Sequence, residues 1–434
     1  MPPSLFLWFR CGALAVALTG PSSSTVLAQT IGIEAKIIHT VSSKGTIKNG
    51  VILIEDGKIA AVGPGHDVSI PEGTKMLAGH TVTPGLIDAH SVVGLAGWYN
   101  VLADQDHDET SGPNQADLRA IDGFNPAEPL LDYLLRHGVT TIQSGPGRGN
   151  PIGGQAGVFK TAAETVEAAI VRFPSAMIFT LGESPKKTYG ERKQTPMTRM
   201  GTAAFIRKAL TDAQAYAQQW ERYRKQAEKE LSKNGDKSTS APDRDLKRES
   251  LAQVTEGRLP ALITAHREDD ILTAIRLAKE FEIDLILDAA TEGYLVTPQI
   301  QAAGVPVIVH PTMQRIDSPE TLNTSLENAS LISGAGVTIA LQSGYEAYVP
   351  KTRIVLFEAA IAMVNGLGFD RALRSITADA AETLQVANRV GSIDIGKDAD
   401  LVLFDGDPFE YTTHVQKVLV EGRVVHDRLA IRNP

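Results

Sequence analysis

Short alternations of apolar and polar positions, broken by turn residues, run from residue 29 to residue 82. Ala35 to Thr40, Gly50 to Glu55 and Lys58 to Val62 alternate or run apolar, and Asp56-Gly57 separates the last two. Both residues of such a pair tolerate positive φ, so the spacing predicts a β-hairpin. The same texture returns after residue 391. Ala399 to Phe404 and Val415 to Val420 are β-rich, and Glu421-Gly422 turns the chain into Arg423-Val424-Val425. Two β-rich ends around a long middle predict one small composite β-sandwich, built from residues 29–82 and 391–434.

The middle, residues 83–390, alternates apolar β runs with helical patterns. The runs include Val139 to Ile142, Ala261 to Thr264, Leu285 to Leu287, Val305 to Val309 and Val337 to Leu341, and the helices include Asp270 to Phe281 and Arg353 to Asn365. This rhythm predicts an α/β chain with a (β/α)8 TIM barrel, a doubly wound open sheet being the structural alternative. One stretch departs from it. Ala203 to Leu231 reads as a long charged amphipathic helix and Ser232 to Arg244 as a polar run, so a helical insertion is expected over about 203–255. Its charge spacing fits a solvated face better than a docking arm.

Residues 1–28 read as an export signal. Arg10 is followed by the apolar run Cys11 to Leu18 and by Val26-Leu27-Ala28, an order that predicts cleavage after Ala28 and a periplasmic or extracellular location. An apolar tail is the alternative. The single cysteine, Cys11, lies inside that segment, so the mature chain has no disulfide, thiolate ligand or cysteine nucleophile. A net charge of −9 argues against nucleic acid or an anionic membrane as partner. Downstream of the signal no apolar run is long enough to span a bilayer. A small-molecule substrate is the expected partner, with association into a homo-oligomer the other expectation.

In a parallel barrel the catalytic groups stand at the C-terminal ends of strands. Asp88 and His90 end the first apolar run. Ser144 to Gln155 follows another and is dense in glycine, which lets backbone N–H groups approach a carboxylate. Lys160 ends the strand-like Ala156 to Phe159. Later runs end in His266-Arg267, Asp288-Ala289-Ala290, His310-Pro311 and Gln342-Ser343-Gly344. Three histidines and a lysine so placed predict a polar mouth.

Thr83 to His90 (TPGLIDAH) resembles the opening barrel strand of the metal-dependent amidohydrolase superfamily, of the imidazolonepropionase and prolidase kind. Gly391 to Asp405 (GSIDIGKDADLVLFD) is similar to the segment by which those chains re-enter the small β domain. Asp117 to Asp122, Asn150 to Gln155, Gly182 to Lys186 and Thr198 to Met200 match one branch of the same pattern.

The resemblance implies a mouth metal held by a His-x-His pair on strand one, a carbamylated lysine or acid on strand four, and histidines on strands five and six. An aspartate on strand eight would activate the bound water. Against that pattern His90 stands but Val92 replaces its partner. Lys160 takes the carbamyl-lysine place, and Thr264 falls at the strand-five position with His266 two residues on. Ala289 falls at strand six, and Gln342, Ser343 and Gly344 replace the strand-eight acid.

The implied function is hydrolysis of a carbon–nitrogen bond in an amide, cyclic amide or dipeptide with a reduced site. At most one divalent ion of the zinc type would rest on His90, Lys160, His266 and His310, with His90, Lys160 and His266 catalytic. The acidic run Asp106 to Glu109 is a further source of a carboxylate or imidazole. The alternative is a pseudoenzyme that binds a small anion through Asn150, Gly153, Gly154, Gln155, Lys186, Tyr189, Arg199 and Arg267, arginine offering a planar fork for carboxylate. A metal-free enzyme using Asp88, His90 or Lys160 is the third reading.

Overall fold

The computed structural model describes residues 30–99, 101–234, 239–313, 318–344 and 355–432, and the export signal expected over 1–28 lies outside them. Both chain ends enter one sheet. Strands β1 (Ile31–His39), β2 (Thr46–Glu55), β3 (Lys58–Pro64) and β4 (Lys75–Pro84) come from the N-terminal part. The rest of the chain forms β5 (Leu86–Ser91), β6 (Val139–Ser144), β7 (Ile152–Lys160) and β8 (Ile170–Thr180), then β9 (Ala261–Ala265), β10 (Leu285–Ala289), β11 (Val307–Val309) and β12 (Ile339–Leu341). Strands β13 (Leu401–Phe404), β14 (Val415–Val420) and β15 (Arg423–Asp427) close it.

The first sheet has the order β15-β14-β13-β4-β1-β2-β3, so β4 and β13 join the two ends antiparallel, Pro84 opposite Leu401. Its alternating apolar positions, among them Ile33, Ile52, Leu401 and Leu419, pack into a core of their own.

Strands β5 to β12 hydrogen-bond in sequence order as an eight-stranded, nearly closed barrel of the TIM type. The inner layer is small and branched, with Ile87, Ala89, Ala156, Val158, Ile178, Leu262, Ile286, Ile308 and Ala340 filling it. At the open seam Asp88 of β5 accepts hydrogen bonds from the backbone N–H (3.1 Å) and the hydroxyl of Ser343, which follows β12. Burial pushes the Asp88 carboxyl up to about 7, against the pull of these bonds.

One strand runs the wrong way for a uniform βα alternation. β7 is antiparallel to both β6 and β8, while every other neighbouring pair in the barrel is parallel. The reason is connection length. Only residues 145–151 link β6 to β7, and a parallel return needs a crossover of a dozen or more. The glycine-rich stretch therefore joins two strands instead of leading from a strand into a helix.

This reversal sends Lys160 to the rim opposite the mouth. There its ammonium lies 2.9 Å from Asp398 and 2.5 Å from Asp400, all three side chains buried. Lys58 and Arg389 complete the charges around Asp398, the latter at 2.8 Å. Burial opposes ionisation of Asp398, yet Lys160, Lys58 and Arg389 together hold it down at about 2. The GKDAD segment thus clamps the sheet onto the barrel through a strand that carries no mouth residue at that end.

Between β8 and β9 the chain forms the helix Arg199–Asn234 and then Leu246–Thr255, which pack together. Among the described residues no helix is long and apolar enough to cross a membrane.

Removing one partner of a buried pair leaves an unanswered charge. We expect Lys160→Met to lower stability to urea by about 3–5 kcal/mol, with activity per folded molecule unchanged. A loss below about 1 kcal/mol, the range of exposed pairs, would show that the clamp carries little.

Candidate functional site

Asp288, near the C-terminal end of β10, organises the mouth. Its Oδ1 accepts from His90 Nδ1 at 3.0 Å and from Gln342 Nε2 at 2.5 Å. Its Oδ2 accepts from Thr264 Oγ1 at 2.6 Å and faces Arg148 Nη2 at 3.8 Å. Burial disfavours the charged form, but the His90 charge and hydrogen bond, Arg148 and Thr264 overcome it and hold Asp288 well below the usual carboxylate range. Four barrel strands, β5, β9, β10 and β12, or the residues just after them, meet on this one carboxylate.

Arg148 links that carboxylate to His266. Its Nη1 lies 3.2 Å from His266 Nε2, and a guanidinium only donates, so Nε2 is the acceptor. The ring proton then sits on Nδ1 and is donated to Thr291 Oγ1 at 2.8 Å. Burial and the Arg148 charge push His266 down to about 3, so it is neutral at physiological pH. Thr291 in turn donates to the carbonyl of His310 at 3.4 Å. Gly344, at φ 94°, passes so close to the His310 ring that a Cβ there would come within 2.4 Å of Cε1. His90, His266 and His310 are therefore brought to one mouth by a shared set of polar contacts.

The other expected residues stand elsewhere or do other work. Lys160, expected as ligand and catalytic group, lies at the far rim because β7 is reversed. Strand four of the barrel is β8, and it ends in Thr180. Arg199 bonds Asp270 at 2.8 Å and pairs with Glu320, fastening the long insertion helix to its neighbours instead of reaching a ligand. Arg267 pairs with Asp269 at 3.0 Å at the start of its own helix, and Lys186 is exposed on the helix Glu183–Gly190.

Tyr189 is buried and donates its hydroxyl to Asn150, whose amide donates to the Glu109 carbonyl at 2.9 Å. Gln155 is buried against the Ala116 carbonyl and the Ser250 hydroxyl. Gly153 and Gly154 belong to β7, and a Cβ on Gly154 would meet the Leu118 carbonyl at 2.8 Å. These groups hold the glycine-rich loop down.

The acidic run after β5 lies on the same loop. Asp108 accepts from the Gly149 N–H at 2.9 Å, and the His107 carbonyl accepts from the Gly147 N–H at 2.8 Å. Burial raises the Asp108 carboxyl, while His107 and the Arg148 charge draw it down.

Sequence reasoning passes over Arg148 and Asp288 as site residues. Both carry a signal: Arg148 is the only charged residue in the stretch 144–155, and Asp288 is a carboxylate at a strand end.

The fit to a metal can be tested on these donors. Val92 and Ala289 offer no lone pair, Thr264 is committed to Asp288, and both His266 nitrogens are committed to Arg148 and Thr291. Among the described residues no group of three or more His, Asp or Glu side chains converges as a metal site. The expected set of His90, Lys160, His266 and His310 does not assemble.

Comparison with known proteins places this geometry. The model of the amidohydrolase family matches residues 351–426. The crystal structure of an amidohydrolase from Thermotoga maritima MSB8 is 34% identical, with a TM-score of 0.83 over 92% of this chain and 100% of that one. An imidazolonepropionase of Geobacillus sp. (strain WCH70) is 25% identical over 96% of this chain and 97% of its own. Amidohydrolase tasK of Hapsidospora irregularis is 26% identical over 87% of this chain, which spans only 40% of that protein.

Glu320 and Asp270 share the single guanidinium of Arg199. Burial and the Asp270 charge lift Glu320 to about 7 against the pull of Arg199. A carboxyl raised in the folded state stabilises it below the unfolded value and loses that contribution as pH rises through about 7. Glu320→Gln should therefore unfold at a progressively higher temperature than wild type as pH increases from 5 to 8. Parallel pH profiles for the two proteins would refute this.

Proposed function

Because the chain belongs to the amidohydrolase family, we propose that it hydrolyses a carbon–nitrogen bond in a small amide, cyclic amide or dipeptide at the barrel mouth. The observation that carries this reading is the convergence of His90, Arg148, His266 and Asp288 at the strand ends. The family is metal-dependent in general, but the described donors here do not converge on an ion.

Attack on an amide carbonyl builds negative charge on its oxygen. A fixed guanidinium can take up that charge, and preorganised donors of this kind lower the barrier because they need no reorientation. Asp288 and the neutral His266 hold Arg148 in place, and the bond from His90 fixes Asp288 in turn. An exported setting, read from residues 1–28, belongs to the same proposal, and fractionation of the native host by compartment tests it.

A binding protein without turnover is the second reading. Val92, Ala289 and Gln342 at the positions of two ligands and the strand-eight acid favour it.

A panel of N-acetyl amino acids, X-Pro dipeptides and cyclic amides separates the two. The hydrolase reading expects cleavage of at least one class, and Arg148→Gln should lower kcat/KM by about 100-fold, the usual cost of an oxyanion donor. Saturable binding across the panel with no cleavage would replace it with the binding-protein reading.

A further inference from the structure

Where the small sheet and the barrel helices part, they leave a groove with a volume of about 670 Å³. We infer that this groove binds a small amphipathic carboxylate, an acid with an apolar body, at a site separate from the barrel mouth. None of its lining residues belongs to the mouth.

The floor of the groove is apolar. Leu356, Phe357, Ala360 and Ile361 share one side of the helix Val355–Ala362 and line it. Phe404 and Val415 come from β13 and β14, and with Leu356 they belong to the core that the sheet shares with the barrel helices. The groove is therefore that core continued into the open, with Phe357 and Tyr411 exposed along it.

Its walls are built in advance. Phe409 stands edge-on to Phe369, ring centres 5.2 Å apart. The loop that carries it is tied back, since Asp405 accepts from the His414 N–H at 2.7 Å and from the Gln416 amide at 2.8 Å. A preformed apolar groove of this volume, between two domains and with a few polar groups converging on it, is the usual setting of a small-molecule site.

The basic groups gather at one end. Arg136 and His137 end the helix Pro129–Arg136, His426 lies on β15, and Arg428 opens the helix that follows. The charges of Arg136 and His137 act on His426, which puts the helix end and the strand together. Burial and the Arg136 charge hold both imidazoles below their ordinary value, so at neutral pH the positive charge here is that of the two arginines.

Both guanidiniums are within reach of a ligand. Arg136 has 53% of its side chain accessible and pairs only with the exposed Asp132, one helical turn back. Arg428 has no ion pair or hydrogen bond among the described residues, and none of its nitrogens is sealed from solvent. Glu410 is the single carboxylate in the lining, against these two arginines.

Charge and shape then select together. A carboxylate at this end meets a planar fork of donors, and an apolar body behind it covers Phe357, Ala360 and Ile361. An alcohol of the same length keeps the body and loses the charge. A short acid keeps the charge and loses the body.

Calorimetric titration of the full chain with octanoate, octan-1-ol and butyrate tests this. Octanoate should bind saturably at one equivalent, and octan-1-ol and butyrate each at least about tenfold more weakly. Arg428→Gln should weaken octanoate at least about tenfold. Ala360→Phe, which fills the floor from a partly open position, should abolish saturable binding. The two substitutions are independent, so one that failed to fold would leave the other to decide. Arg148→Gln, in the mouth, should leave octanoate affinity unchanged.

Absence of saturable octanoate binding, equal affinity for octan-1-ol or butyrate, or unchanged affinity in both groove variants would overturn the inference. Loss of binding in Arg148→Gln would overturn it by moving the acid to the mouth. So would light scattering that shows a dimer which Ala360→Phe dissociates, because the groove would then be a contact between two copies of the chain.

Discussion

A single buried ammonium holds the two halves of this molecule together. Lys160 is answered by Asp398 and Asp400, and Asp398 is shared with Lys58 and Arg389. Charges at this depth are tolerated only when each is paired and the geometry is fixed. The demand fixes where β7 must end and how β13 must enter the sheet. It also fixes which rim of the barrel is structural. Everything polar at the other rim is then left to the mouth.

At that mouth the same rule operates with different residues. Asp288 is buried as deeply as Asp400, and its answer is divided among an imidazole, an amide, a hydroxyl and a guanidinium. The two sites differ in closure. The Lys160 cluster is sealed between sheet and barrel, whereas the Asp288 cluster ends on an arginine that solvent can reach.

Much of the architecture was legible in the chain. The hairpin at Asp56-Gly57, the β-rich pieces at both ends and the strand-opening TPGLIDAH stretch led to a composite β domain and a TIM-type barrel. Helical charge spacing marked the insertion, observed as Arg199–Asn234. The site was less legible, for reasons of direction and distance. Side-chain chemistry placed Lys160 at a strand end correctly, but a strand end names a rim only when the strand's direction is known. Direction depended on the seven residues 145–151, too few for a crossover. Arg199 and Arg267 offered the right fork for a carboxylate, yet Arg267 is taken by its neighbour Asp269, and the partners of Arg199, Asp270 and Glu320, come from two helical turns far along the chain. Arg148 was hidden by its neighbours, since glycine and proline announce a loop and say little about the one charge within it.

The reversed strand also bears on how the chain reaches this fold. β6, β7 and β8 form an up-and-down meander in which each strand pairs with the next one along the chain. Such pairing closes short loops and costs little chain entropy, so it is available early. The pairing of Pro84 with Leu401 is the opposite case, because it waits for nearly the whole chain to be in place. The sheet that seals Lys160 is joined up only by this long-range pairing, and a polypeptide ending before Asp398 would keep that lysine without its two acids.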